Sequence, residues 1–287
     1  MKVKLLRKLI IDYPSASAVE FSKEKLYIIG DDVNYILCLD AEWNLLKEIK
    51  LFDYDGERIP KPEKPDLEAA VIINDILYVI GSGSRSPQRD VAFIVQLEDD
   101  TVKRANTSSF YSLFRDRGLI TEMNIEGFTA CRDKILFFNR GNTLHPNQLI
   151  ITDRKILTRQ LPDRFKVMPV KVGSIRNVPL GISGACYDEA NDILLLTASA
   201  EDTDNAYDDG HILGSVLCVI YNAYAKLDAP ELAADKYLEL ENENTAFSSQ
   251  KIESVCITRT EDNRYTCVLA ADNDEGNSVL FEVLLEI

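Results

Sequence analysis

Three glutamates stand at the head of apolar runs, in Glu68-Ala69-Ala70, Glu126-Gly127-Phe128 and Glu253-Ser254-Val255. Two further runs open the same way with a hydroxyl, in Ser17-Ala18-Val19 and Ser183-Gly184-Ala185. Carboxylates gathered at one point repel unless a proton or a cation relieves them. A hard cation with oxygen ligands, Ca²⁺ first, is the obvious relief, which makes Glu68, Glu126 and Glu253 candidate metal ligands. The other reading has each Glu bonding the backbone of its neighbour, with only water between them. Arg85, Arg89 and Arg140 suit a phosphate or carboxylate clamp, and suit equally well salt bridges to Asp31, Asp32 or Asp272. Asn142, Asp202, Asp272 and Asn273 complete the candidate ligand-binding set. His145 and His211, the only two histidines, are the candidate acid–base residues. The acidic stretch from Asp202 to Gly210 resembles a calcium loop, but Tyr207 stands where an EF-hand requires glycine, so it is not an EF-hand.

What positions these groups is a repeat. The five openings start at residues 17, 68, 126, 183 and 253, so they recur at intervals of 51, 58, 57 and 70 residues, the length of a four-stranded propeller blade with variable loops. Each opening leads into an apolar strand and a short charged turn. A second strand follows, as in Leu26-Tyr27-Ile28-Ile29-Gly30 and Leu77-Tyr78-Val79-Ile80-Gly81. Third strands are expected at Tyr35 to Asp40, Val91 to Leu97, Gln148 to Thr152, Ser215 to Tyr221 and Ser278 to Val283. The fifth unit ends with its third strand, while the strand-like run from Lys2 to Ile11 belongs to no unit. An open ring leaves unpaired strand edges, so the N-terminal strand is expected to complete blade five. The expected fold is all-β, a five-bladed β-propeller forming one domain over residues 1–287. Ser108 to Glu122, with a short helix around Phe110 to Phe114, and Pro162 to Leu180 read as insertions between blades.

Alternating strand direction puts the starts of the inner strands and the ends of the second strands on one face. That face collects Glu68, Glu126, Glu253, Asp31-Asp32, Ser82 to Arg85, Arg140, Asn142, Asp202, Asp272-Asn273 and both histidines. The opposite turns, such as Lys23-Glu24-Lys25 and Asn74-Asp75, carry nothing beyond solvated hairpin residues.

The chain has 287 residues, 46% hydrophobic and 28% charged, with a formal charge of −15. That charge opposes nucleic acid and anionic lipid, and no apolar run approaches a membrane span or a signal peptide. Six cysteines inside strand-like runs, with no C-x-x-C pair, read as reduced thiols in a cytoplasmic protein. A soluble monomer is assumed.

The runs Glu68-Ala69-Ala70, Gly81 to Arg85, Asn139 to Asn142, Thr197 to Gly210 and Asp272 to Asp274, in this order, resemble an uncharacterised family of bacterial propeller proteins along nearly the whole chain. More distantly, inner strands opening with Glu are similar to those of calcium-dependent apyrase and phytase-like propellers, through Glu68, Glu126 and Glu253 alone. That resemblance implies Ca²⁺ on the axis and action on phosphate esters. The expectation is a propeller binding a small polar or anionic ligand through a divalent cation in an acidic axial funnel. A Ca²⁺-dependent phosphoester hydrolase and a protein-interaction scaffold are the alternatives.

Overall fold

In the computed structural model, which describes residues 1–159, 161–205, 210–272 and 276–287, five sheets stand around one axis. Their inner strands are Ala16–Ser22, Leu67–Ile73, Ile125–Cys131, Val178–Asp188 and Lys251–Glu261. Each inner strand packs against the inner strands of both neighbouring blades, and the first meets the last. The ring is therefore a five-bladed β-propeller, with each blade built on the repeat read from the sequence.

The second strands, Lys25–Gly30, Ile76–Gly81, Lys134–Asn139, Ile193–Asp202 and Arg264–Asp272, lie between two apolar faces and are almost wholly buried. Runs of Leu, Ile, Val and aromatic residues are what such a position requires, because both sides of the strand meet a neighbouring blade. The core is accordingly divided into five apolar clusters, one in each gap between blades. Serines stitch two of these gaps: the Ala16 amide donates to Ser278 Oγ (2.8 Å), and the Ile252 amide donates to Ser215 Oγ (3.1 Å).

Blade five is completed by the N-terminal strand Lys2–Ile11, which pairs antiparallel with Ser278–Glu286 from Lys2↔Glu286 to Ile11↔Ser278. Its solvent side carries Lys2, Lys4 and Lys8, while Val3 is buried. The other blades have their own fourth strands, Leu45–Lys50, Val102–Asn106, Phe165–Lys171 and Lys236–Glu239, and the short strand Leu232–Ala233 pairs parallel with the last residues of Phe165–Lys171.

The Ser108 to Glu122 insertion does carry a helix, Ser108–Arg115, whose Phe110, Tyr111 and Phe114 are buried between blades two and three. The segment from Pro162 to Leu180 is not an insertion. It holds the fourth strand of blade three and the start of the inner strand of blade four. Pro169 interrupts its strand pattern, yet proline is tolerated near the outer edge of a sheet, where few ladder donors are needed. All six cysteines are free thiols. Among the described residues, no helix is long and apolar enough to cross a membrane.

Because blade five is completed by the N-terminal strand, removal of residues 1–11 is expected to expose the edge of Ser278–Glu286 and broaden the thermal transition. A synthetic Lys2–Ile11 peptide added in trans should restore a sharp melt. A truncated chain that melts within a few degrees of the intact one, without the peptide, contradicts this account of closure.

Candidate functional site: the axial funnel

In every blade the register between inner and second strand slips at the opening, and blade five slips again further along, between Ile257 and Arg259. The opening slips fall between Ala16 and Ala18, Leu67 and Ala69, Ile125 and Gly127, Ile182 and Gly184, and Ile252 and Ser254. The extra residues are Ser17, Glu68, Glu126, Ser183 and Glu253. A bulge leaves its residue out of the ladder and re-aims the side chain, so the five residues singled out in the sequence form one tier at the head of the channel.

The two serines of the tier lock neighbouring blades together. Ser17 Oγ donates to the carbonyl of Leu67 in blade two, and Ser183 Oγ donates to that of Ile252 in blade five (2.5 Å). Each acceptor is the residue immediately before a bulge glutamate. The glutamates do not bond the neighbouring backbone. They face a cavity of about 390 Å³ lined by residues of blades one, two, three and five.

Blade four contributes no lining residue, for a steric reason. Arg140, at the end of the second strand of blade three, reaches across to Ser199 Oγ (2.9 Å) and Glu201 (3.0 Å) of blade four while pairing with Glu126 (2.9 Å). A β-carbon on Gly181 would lie 2.8 Å from Arg140 Nε. Glycine at that position therefore leaves room for the guanidinium, which closes the blade-four side of the funnel.

The charges fall into two groups. On one side, Glu126, Glu201 and Glu253 are met by Arg140 and Lys251, with Lys251 Nζ 3.1 Å from Glu253 and 3.5 Å from Glu201. Burial nevertheless pushes the Glu253 carboxyl up to about 8, with Lys251 opposing. On the other side, ligand atoms of Asp31, Asp66 and Glu68 lie within 4.8 Å of one another. The Lys64 ammonium is inserted there, bonded to Asp31 and 2.9 Å from Asp66. Arg89, 3% exposed, also pairs with Asp66 (2.5 Å), which Ser82 Oγ contacts from the other side (2.5 Å). Burial would raise Asp66, but Lys64 and Arg89 outweigh it and hold that carboxyl below its usual value. Asp31 goes the other way, pushed up to about 7 by burial.

Glu68 is different from all of these. Burial first, then the charges of Asp66, Asp31 and Glu126, push its carboxyl well above the ordinary value. Among the described residues it makes no hydrogen bond and no ion pair.

This geometry bears on a resident Ca²⁺. The ion takes six to eight oxygen ligands. Two of the three tier glutamates already answer Arg140 or Lys251, so their charge is largely balanced. The donor set that fits a hard cation is Asp31, Asp66 and Glu68, and Lys64 has to move aside to admit one.

The remaining candidates are dispersed. Asp272 lines the funnel, and Arg140 forms its wall. Arg85 is exposed and outside it; the neighbouring Arg89 is the arginine that enters. Asn142 donates to Glu122 (2.5 Å) and caps its own loop by accepting from the His145 amide (2.9 Å). His145 and Asn142 share a separate, shallow cleft between blades three and four. His211 is exposed and pairs in register with the exposed Asp202. Asn273, and residues 206–209 of the acidic loop, lie outside the described residues. The sequence reading missed Lys64, Asp66 and Lys251. A positional signal existed: Ser15, Asp66, Asn124 and Lys251 each stand two residues before a bulge residue and line the cavity.

A propeller of five blades with a charged axial funnel is thus the class this fold and site define. The chain belongs to the family of unknown function DUF6929, whose model matches residues 12–285. No curated protein sequence matches it. Among solved structures, glutaminyl cyclase of Myxococcus xanthus superposes with a TM-score of 0.57 at 12% identity, covering 99% of this chain and 97% of that one. A DUF4221 family member from Bacteroides vulgatus gives a TM-score of 0.45 at 11% identity, covering 100% and 99%. These likenesses concern the fold.

The pH dependence of stability follows from the raised carboxyls. Glu20, further along the inner strand of blade one, is pushed by burial up to about 8, with only the Ile72 amide at 3.4 Å to favour its anion. An acid whose folded-state value exceeds its unfolded one holds more protons when folded. Its contribution therefore falls as pH rises from the ordinary value of 4.5 toward 8. Urea titrations across that window should show declining stability. Glu20→Gln should flatten the decline and gain roughly 1 kcal/mol or more at the alkaline end. An unchanged slope in Glu20→Gln contradicts the assignment.

Proposed function

We propose that the axial funnel binds a small polar ligand through a positively charged group that docks on Glu68. The observation that carries this reading is the unpartnered Glu68 carboxyl beside Asp31, Asp66 and Glu126. The lining holds seven acidic residues, Asp31, Asp32, Asp66, Glu68, Glu126, Glu253 and Asp272. Five basic ones oppose them, Arg58, Lys61, Lys64, Arg89 and Lys251, an excess of two negative charges when all are ionised. A primary ammonium supplies the missing charge and hydrogen bonds together. A divalent cation such as Ca²⁺ supplies it by displacing Lys64, and then presents open coordination positions to a ligand's phosphate or carboxylate.

An enzymatic reading has one observation in its favour. The fold neighbour at a TM-score of 0.57 is a glutaminyl cyclase, and a carboxyl pushed above its ordinary value, as burial pushes Glu68, suits general acid–base work on an amine or amide.

Thermal melts in the presence of Ca²⁺, Mg²⁺ and a panel of primary amines test the binding reading. At least one should raise the melting temperature in a concentration-dependent way. Glu68→Gln should abolish that rise while leaving the unliganded melt unchanged or higher, since the substitution removes a buried, repelled carboxyl. A shift that survives in Glu68→Gln, or no shift with either class, overturns it. Release of ammonia from a peptide with N-terminal glutamine, lost in Glu68→Gln, would establish the enzymatic reading.

A further inference from the structure

The five blades allow a comparison of equivalent positions that isolates one blade. Starting from the residue after each bulge, a row of side chains runs across the four strands toward the next blade. In blade one the row is Ala18, Ile29, Ile36 and Ile49. Its two outer positions are Leu149 and Met168 in blade three, Leu217 and Leu238 in blade four, and Leu280 and Leu9 in blade five. Four blades thus fill the outer part of the gap with large side chains. In blade two the same two positions are Ala92 and Ala105.

The space so vacated is only partly taken by Phe110 of the inserted helix, whose ring lies 4.9 Å from that of Phe137. Beside it remains a cleft of about 370 Å³ on the flank of the ring, within the size range of small-molecule sites. Its walls are aromatic. Phe128 and Phe137 stack at 4.8 Å, and Tyr78 and Phe110 face them, with Ala92 and Ala105 as the floor. Its rim is basic, in a chain whose formal charge is −15. Lys103 stands exposed at the mouth, on the same face of its strand as Ala105, and among the described residues it makes no ion pair, whereas Arg104, opposite Phe93, lies on the other face of the sheet. A third cation of the lining, Arg159, is held by Asp163 (2.6 Å).

The geometry points to a second binding site, distinct from the axial funnel, for a small aromatic carboxylate. The ring of the ligand enters between Phe110, Phe128 and Tyr78, where flat apolar surface is already preorganised, and its anion meets Lys103 at the mouth. The ligand replaces, in one gap, the pair of large side chains that the other four blades supply from their own sequence.

Calorimetric titration of the full chain with 2-naphthoate, 2-naphthylmethanol and 2-naphthylmethylammonium tests the proposal. The carboxylate should bind about tenfold or more tighter than the ammonium of the same shape, as one charge-assisted contact requires. The exposed substitution Lys103→Gln should bring naphthoate down to the level of the neutral alcohol. Ala92→Leu, which restores a large residue of the kind the other blades carry, should remove binding of all three. Glu68→Gln should leave naphthoate binding unchanged. The proposal falls if naphthoate does not bind at millimolar concentration, if the ammonium binds as tightly, or if Lys103→Gln has no effect. It falls as well if Glu68→Gln removes binding, which would place the probe in the funnel.

Discussion

A single extra residue at the head of each inner strand is the constraint on which the rest of the structure depends. The bulge takes Ser17, Glu68, Glu126, Ser183 and Glu253 out of their ladders and turns all five toward the channel. Without that slip, strict alternation would fix these side chains by the pleat, toward one neighbouring blade or the other. The same geometry does structural duty where the residue is serine, tying one blade to the carbonyl that precedes the next blade's glutamate. Mechanical closure and the charged tier thus come from one local device used with two side-chain chemistries.

The electrostatics of the funnel show what happens when several carboxylates are forced together. Relief arrives across blades: Arg140 of blade three serves Glu201 of blade four, and Lys251 of blade five serves Glu201 as well as Glu253. Such buried pairs gain little net stability over an apolar core, because each ion has lost its water. They do fix which carboxylates remain ionised. Asp66, with two cations, is held below its usual value, whereas Glu68, buried among acids and with Lys64 only partly opposing them, is pushed the other way. The asymmetry between these two near neighbours is the property that a ligand can exploit.

The architecture was legible because it repeats. Five openings, five buried second strands and one orphan strand at the start demanded a closed ring, and the bulge residues were the very ones that opened each unit. Pro169 hid a fourth strand because a proline reads as a break where an outer strand tolerates it. The candidate site was legible only in part. Glu68, Glu126, Glu253 and Asp272 fall on the cavity, but Arg85, Asn142 and both histidines share the polar face without reaching the axis. A face is wide, and sequence position along it does not set radial distance. Lys64 sits in a connection with no periodic pattern, so its insertion between Asp31 and Asp66 follows from the packing of two blades and from nothing local.

The strand that shuts the ring also orders events in time. Lys2–Ile11 leaves the ribosome long before its partner Ser278–Glu286, with four blades made between the two. Blade five therefore cannot be finished until Ser278–Glu286 has emerged, and the earlier strand must wait as an unpaired edge. Its alternating Lys2, Lys4 and Lys8, exposed in the finished protein, are the kind of charge that keeps such an edge from pairing with another chain in the interval. The topology makes the final seal a long-range closure, slow in the way non-local β pairing is slow, and makes that delay part of how the protein reaches its native state.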